Sequence, residues 1–254
     1  MSFAPRAWGY KARLIDDLLN DFGGRPVRVL DLGCGTAEAF VDALRRHTNI
    51  TYTGVEQRDS SLRRARDTIG DYANVTLLSG FGEDFTGVDY DLVISLSVLE
   101  HVKRLDSFLS TSVGFAKDGG RVVHRYDLGH ALTPSTPGER LRVAAARSVP
   151  AIVPAARFTT YPDKAKIVTR LRALGLEDIE ITQSQLPGLK GAVNRLDEAT
   201  PEHADLMQRI LDLEADLWDH VGRFIDGEQR DRLFPTVTIS GVRRTRSRTD
   251  PGAA

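Results

Sequence analysis

Short apolar segments alternate with amphipathic ones between residues 25 and 126, and this alternation constrains the fold more than any other feature. Compact apolar or β-branched runs predict five strands, with helix-like segments between them. Strands that alternate with helices pair in parallel, because each crossover helix returns the chain to the same end of the sheet. The predicted strands are Val27–Gly33, Ile50–Glu56, Asn74–Gly80, Tyr90–Ser97 and Arg121–Asp127.

The rest of the chain is less regular. A proline-rich segment after the fifth strand predicts a lid, and two further strands are separated by a largely helical insert. The whole pattern predicts one domain, residues 1–243, with an α/β Rossmann-like three-layer sandwich around a mostly parallel seven-stranded sheet. The boundaries are 128–161 for the lid, Leu176–Thr182 and Thr236–Arg244 for the two strands, 183–235 for the insert and 244–254 for a disordered tail.

Composition excludes several classes of protein. The 254 residues carry 34 Lys and Arg against 35 Asp and Glu, so the formal net charge of -1 favours neither nucleic acid nor an anionic membrane surface as a partner. The one cysteine, Cys34, excludes an intramolecular disulfide framework and a Cys-rich zinc site, and we expect no metal. No apolar run approaches the roughly 20 residues that span a bilayer, and the first residues lack the apolar core of a signal peptide. We therefore expect a cytoplasmic protein.

A glycine-containing turn, Asp31-Leu32-Gly33-Cys34-Gly35, follows the first strand. Glycines there let the backbone turn sharply and approach a ligand before a helix begins. The dinucleotide fingerprint of nicotinamide enzymes requires a small residue where this chain has Glu38, which weakens that interpretation. The second strand ends at Glu56, and a carboxylate at this strand tip accepts both hydroxyls of a bound ribose. The pattern indicates a nucleoside-containing ligand at the carboxyl ends of the strands.

Four segments of the chain resemble the motifs of the class I S-adenosylmethionine-dependent methyltransferases. They follow one another in that family's order and at roughly its spacing, and four motifs in register are more specific than one glycine turn. The resemblance implies a small-molecule methyltransferase with S-adenosyl-L-methionine as its cofactor. The matching segments are VLDLGCGTA, YTGVE, SGFGEDF and DLVISLSVLEHV.

The resemblance also implies roles for residues of the cofactor site. The loop around Gly33 and Gly35 would hold the methionine moiety, and Asp31 would organise that loop. Glu56 would bind the ribose. The other implied contacts are Gln57 beside the adenine, Gly82 and Glu83 bordering the adenine, Leu96 touching the methionine moiety through its carbonyl, and Tyr10 either on the cofactor or in simple packing.

Two positions depart from the family's pattern. Ala37 stands where many members have a third glycine. Phe81 occupies a position where an aspartate often bonds the adenine amino group. A phenyl ring cannot accept that hydrogen bond, so we expect Phe81 to stack on the adenine or to form a wall of its pocket.

Methyl transfer from a sulfonium is an in-line displacement, so the protein accelerates it by holding the acceptor atom, the methyl carbon and the sulfur collinear. An oxygen or protonated nitrogen acceptor also needs a base. The candidate bases lie on or just after the fifth strand and are Asp127, His130 and His124. Strand alternation places His124 on the face opposite Arg125 and Asp127, so only one of these sets faces the cleft directly from the strand. Each candidate also has a structural interpretation, such as a packed, hydrogen-bonded histidine.

We expect a small-molecule acceptor, because a lid and a helical insert suit compact substrates. The Asn/Asp-Pro-Pro-aromatic motif used on base amino groups is absent after the fourth strand, where the chain has Ser-Leu-Ser-Val. Arg125 and the arginines of the lid make an anionic acceptor conceivable, although solvated arginines are the simpler interpretation. The apolar face of Leu206–Leu217 would pack in the core or form a homodimer surface. A non-catalytic methyltransferase-fold binding protein or partner subunit is the alternative to an enzyme.

Overall fold

The computed structural model describes residues 9–80, 85–129, 137–148, 158–193, 196 and 200–244. Its centre is a seven-stranded sheet with the order β3-β2-β1-β4-β5-β7-β6. The first five strands pair in parallel, and β7 pairs antiparallel with both β5 and β6. This confirms the predicted α/β class and the mostly parallel sheet. The strands are β1 Val27–Leu32, β2 Ile50–Glu56, β3 Val75–Ser79, β4 Tyr90–Leu96, β5 Ala116–Asp127, β6 Leu176–Ser184 and β7 Thr236–Arg243.

Helices cover both faces of the sheet, and each face has its own apolar core. One core joins α1, α2 and α3 to side chains such as Val29 and Val123. The other joins α4 and α6 to side chains such as Leu30 and Val122. Because successive side chains on a strand point to opposite faces, Arg125 and Asp127 lie on the α1 face with Val123. The helices are α1 Gly9–Asn20, α2 Val41–Arg46, α3 Asp59–Ile69, α4 Leu105–Phe115, α5 Pro137–Ser148, α6 Lys164–Ala173, α7 Pro187–Val193, α8 Pro201–Leu217 and α9 Gly227–Leu233.

Two predicted boundaries differ from the structure. The helix expected from Thr36 begins as a 3-10 turn, Glu38–Phe40, and becomes α-helical only at Val41. The fifth strand begins at Ala116 and not at Arg121, because the predicted turn forms an irregularity within the strand, where the register against β4 shifts. Neither difference changes the carboxyl ends of the strands, where the candidate site lies.

The insert between β6 and β7 is helical, as predicted, and it packs on α1. Tyr10 of α1 forms a small buried cluster with Val193 of α7 and Met207 of α8. The predicted leucine face of α8 is divided, since Ile210 packs against this cluster while Leu213 is 50% exposed. In the described part of the chain, no helix combines the length and the apolar character that crossing a membrane requires.

Candidate active site

The glycine loop after β1 is fixed by backbone hydrogen bonds and by its torsion angles. The amides of Gly33 and Cys34 donate to the Val55 carbonyl of β2, at 2.8 and 3.1 Å. Gly33 and Gly35 have φ angles of 79° and 60°, in the left-handed region that favours glycine. A Cβ on Gly33 would lie 2.7 Å from the Val98 side chain, whereas one on Gly35 would enter open space. The loop therefore needs both glycines and leaves space beside Gly35 for a ligand.

Glu56, the last residue of β2, joins the second strand tip to this loop. Its carboxylate accepts from the Gly35 amide at 3.0 Å through Oε2 and from the Arg58 amide at 2.7 Å through Oε1. A carboxylate offers about four lone-pair positions, so these bonds leave acceptor capacity for two ribose hydroxyls. Gln57, the next residue and the predicted neighbour of the adenine, is exposed to solvent. The geometry fits the predicted ribose-binding role of Glu56 and leaves Gln57 at the rim.

Asp31 is buried near the end of β1, below the loop. Its Oδ2 accepts from the Tyr52 hydroxyl at 3.0 Å, and its Oδ1 has no hydrogen-bond partner among the described residues. Burial raises the pKa of Asp31 to about 7, although the Tyr52 bond and the Lys11 charge act in the opposite direction. Within the described residues its carboxylate bonds to Tyr52 and not to the loop amides. Its predicted role in organising the loop is therefore indirect, and one buried oxygen is left for a ligand.

The other predicted cofactor contacts are described only in part. Leu96 ends β4, is buried, and pairs in register with Arg125 of β5. Leu96 thus lies at the carboxyl end of its strand, as the sequence predicts. The remaining predicted site residues lie outside the described residues: Phe81, Gly82, Glu83 and the candidate base His130.

The hydroxyl of Tyr10 ties α1 to the helical insert. It donates to Glu214 Oε1 of α8 at 3.0 Å. The same carboxylate accepts from the backbone amides of Gln185 and Leu186, at 3.2 and 2.9 Å, so it also holds the chain between β6 and α7. Tyr10 was expected either on the cofactor or in simple packing, and the structure shows it in a buried polar contact that docks the insert.

His124 of β5 points into the α4 side of the sheet and is fully buried. Its Nδ1 lies 2.8 Å from Ser95 Oγ, and its Nε2 lies 3.1 Å from Ser112 Oγ. Because the Ser112 hydroxyl donates to the Leu109 carbonyl, it can only accept from the ring, which assigns the proton to Nε2. Burial lowers the pKa of His124 to about 4, so the imidazole is neutral near pH 7. These surroundings are those of a structural histidine, and we do not retain His124 among the proposed bases.

Asp127, at the tip of β5, lies on the opposite face and contacts partners from two segments of the described chain. Its side chain accepts from the Gly129 amide at 2.7 Å and forms an ion pair with Lys190 of α7. Its own amide donates to Glu100 Oε1 at 3.3 Å. Asp127 therefore connects the β5 tip, the turn after β4 and the insert.

Four charged residues that sequence reasoning did not single out also lie at this edge. Glu100 is 1% exposed and its Oε2 has no partner among the described residues, while burial raises its pKa. Burial lowers the pKa of Lys11 on α1, and the charges of Asp31 and Glu100 oppose that effect. Glu100 stands within the motif after β4, which was a usable signal. Lys11, Lys190 and Glu214 stand in segments without a motif, so only the fold brings them here. Among the described residues, no group of three His, Cys, Asp or Glu side chains could hold a metal ion.

Part of this chain is similar to a known protein family. Residues 30–122 match the family model described as a methyltransferase domain. The matched segment contains the glycine loop, Glu56, Leu96 and Glu100. A search of curated proteins found no significant match.

Solved structures share the fold over most of the chain. Phosphoethanolamine N-methyltransferase 2 of Haemonchus contortus, in complex with S-adenosyl-L-methionine, has a TM-score of 0.58 at 17% identity, over 90% of this chain and 52% of that one. Magnesium protoporphyrin IX methyltransferase of Synechocystis PCC 6803, with bound SAH, has a TM-score of 0.53 at 15% identity, over 92% and 81%. The CurJ carbon methyltransferase has a TM-score of 0.56 at 14% identity, over 92% and 54%. The chain thus spans about half the length of the first and third of these proteins.

Residues 30–122 are therefore similar to methyltransferase domains, and the described part of the chain has a fold that solved methyltransferases share. At such low identities the structural likeness establishes the fold alone, and 1096 solved chains share it. These neighbours act on nitrogen, on carbon and on a porphyrin, so the acceptor must be argued from the site itself.

Proposed function

We propose that this chain transfers a methyl group from S-adenosyl-L-methionine to an oxygen or nitrogen of a small molecule. One observation carries the proposal. The Gly35 amide donates to the buried Glu56 carboxylate, which places a glycine loop and a ribose acceptor side by side at the carboxyl ends of β1 and β2. Ligands of open α/β sheets bind at this edge, and a nucleoside with a charged tail matches these two features.

The residues present fit this cofactor. The space beside Gly35 admits the methionine moiety against the loop, Glu56 retains acceptor capacity for the ribose hydroxyls, and the orphan Asp31 Oδ1 can accept from the cofactor's ammonium group. When bound, S-adenosylmethionine supplies an electrophilic methyl carbon on a sulfonium. The chain's own task is then to fix the acceptor in line with that carbon and to exclude water.

The acceptor lies on the β5 side of the loop in this proposal. Leu96 and Arg125 form the adjoining strand tips, and Asp127 follows them. Asp127 is the proposed proton acceptor for a hydroxyl or ammonium substrate, and it becomes available when the substrate displaces Lys190 from its carboxylate. For an ammonium substrate this replaces one cationic partner by another and keeps the buried carboxylate compensated, whereas a hydroxyl substrate replaces the ion pair by a hydrogen bond.

A compact acceptor suits the covered cleft. The Tyr10–Glu214 bond and the Lys190–Asp127 pair tie the insert to α1 and to the β5 tip, which favours a compact acceptor over a macromolecule. One neighbour was crystallised with phosphomonomethylethanolamine, a small molecule, and S-adenosylhomocysteine. A homodimer through the insert and a cytoplasmic location stay predictions, and the exposed Leu213 supports the former.

Calorimetric titration with S-adenosylhomocysteine, followed by transfer of a labelled methyl group to a panel of small hydroxy and amino compounds, tests the proposal. We expect one ligand per chain and turnover with a subset of the panel. Binding without any turnover would favour the non-catalytic alternative, and no binding would refute both. A parallel titration with NAD should give no binding.

A further inference from the structure

Arg125 is a buried cation that forms no ion pair with a carboxylate of the described residues. Its side chain extends from the tip of β5, and the residue is 6% exposed. Nη1 donates to Thr238 Oγ1 at 3.0 Å and Nη2 to Ser184 Oγ at 3.1 Å. A guanidinium has five N–H donors, so these two hydroxyls leave three without a partner among the described residues. The ion pairs of the described residues include none for Arg125, and burial of an unpaired charge is unfavourable.

The nearby carboxylates are committed to other groups. The charges of Asp127 and Glu214 are the negative charges that act most strongly on Arg125. Asp127 is held by Lys190 and by the Gly129 amide. Glu214 is held by Tyr10 and by two backbone amides of the insert. Burial lowers the pKa of Arg125 to about 10, which still leaves the guanidinium charged at neutral pH.

The position of Arg125 in the sheet separates it from the nucleoside side of the cleft. In the strand order, β5 is two places from β1, which carries the glycine loop, and three places from β2, which ends in Glu56. At about 4.8 Å per strand, Arg125 lies roughly 10 Å from the loop strand and roughly 14 Å from the ribose acceptor. This backbone spacing favours the acceptor over the nucleoside part of the cofactor as the ligand of Arg125.

We propose that Arg125 binds an anionic group, a carboxylate or a phosphate, of the methyl acceptor. This inference rests on the proposed function, because it places the acceptor next to the cofactor site. The planar guanidinium presents parallel N–H donors that match the oxygens of such anions, and the Thr238 and Ser184 hydroxyls fix its orientation. Lys11, a half-buried ammonium without a hydrogen bond to any described residue, adds positive charge on the α1 side of the same cleft. The acceptor class is therefore a small hydroxy or amino acid, or a phosphate monoester.

Inorganic phosphate is the probe for this subsite, titrated into the protein saturated with S-adenosylhomocysteine. The variant Arg125→Met keeps an unbranched stem and removes the charge and the N–H donors. We expect phosphate to bind the wild type saturably and to bind Arg125→Met at least about tenfold more weakly, because charge-assisted hydrogen bonds are lost. The affinity for S-adenosylhomocysteine should stay unchanged. Arg121→Met on the same strand, where the arginine pairs with the exposed Asp21, is the matched control and should leave both affinities unchanged.

Each other outcome overturns a defined part of the inference. Equal phosphate affinity of the wild type and Arg125→Met, or no saturable phosphate binding by the wild type, would overturn the anion site. If Arg125→Met loses affinity for S-adenosylhomocysteine, Arg125 binds the carboxylate of the cofactor and not an anionic group of the acceptor. If Arg125→Met does not fold, Arg125→Lys is the variant to test. It keeps the positive charge but lacks the planar guanidinium, so it should bind phosphate with intermediate affinity. A wild type that binds phosphate but not S-adenosylhomocysteine would refute the proposed function and leave the anion site standing.

Discussion

Replacement of Glu56 by alanine should weaken cofactor binding strongly, because this carboxylate accepts from the Gly35 amide of the loop and is the proposed acceptor of the ribose hydroxyls. Each hydrogen bond to a charged acceptor contributes about 1.5–3 kcal/mol. Loss of two ribose bonds at the lower value is about 3 kcal/mol, and one factor of ten in affinity corresponds to about 1.4 kcal/mol. Glu56→Ala should therefore raise the Kd for S-adenosylhomocysteine by about 100-fold or more in calorimetric titration. The Gly35 amide also loses its acceptor, so the variant should be less stable by about 1–3 kcal/mol.

Two further variants make this test specific. Glu56→Gln keeps one carbonyl oxygen and should bind with intermediate affinity, about tenfold weaker than the wild type. Glu38→Ala removes an exposed carboxylate at the start of the 3-10 turn after the same loop and should leave the Kd unchanged. A folded Glu56→Ala protein with wild-type affinity would refute the assignment of β2's tip to the ribose.

Four further tests address the glycine loop, the buried His124, the buried Asp31 and the insert. Gly35→Ala should lower the affinity for S-adenosylhomocysteine and lower the melting temperature modestly. Gly33→Ala should lower the melting temperature more, since its Cβ would clash with the Val98 side chain. Equal decreases in melting temperature for the two variants would contradict this. Because burial lowers the pKa of His124 from 6.5 to about 4, its contribution to stability is present above pH 6.5 and is lost toward pH 4, by roughly 3 kcal/mol. In His124→Asn the free energy of unfolding, measured with urea between pH 4 and 6.5, should no longer fall because of this residue. A variant whose free energy of unfolding falls with pH as steeply as that of the wild type would contradict this reasoning. The pKa of Asp31 is raised to about 7, so stability is lost as the pH rises from about 4 to 7, and Asp31→Asn should gain stability relative to the wild type over that range. Tyr10→Phe should speed proteolysis of the insert without changing the core, and unchanged cleavage rates would argue against the docking role of its hydroxyl.

The sheet and its cofactor edge could be predicted from the sequence because both depend on local signals. Alternating apolar strands and helices define the parallel order, and glycines at positive φ mark the loop after β1. The terminal residue of β2 follows directly from the strand boundary, which is why Glu56 is found where the prediction places it. These features need no knowledge of distant contacts.

The acceptor side could not be predicted in the same way, because it depends on contacts between distant segments. Lys190 reaches Asp127 across 63 positions of sequence, and Glu214 reaches Tyr10 across 204. The strand alternation that separates His124 from Arg125 was visible, but which face carries the cleft depends on where α1 and the insert pack. The polar partners of His124, Ser95 and Ser112, likewise become neighbours only when β4, β5 and α4 come together.

A crystal structure of the chain with S-adenosylhomocysteine is the most direct test of the proposed cofactor site. We expect the ribose hydroxyls to lie within hydrogen-bond distance of Glu56 and the methionine moiety to lie against Gly33 and Gly35. The sulfur should point toward Leu96 and Arg125. A ligand bound elsewhere, or one with its ribose away from Glu56, would contradict the proposed site.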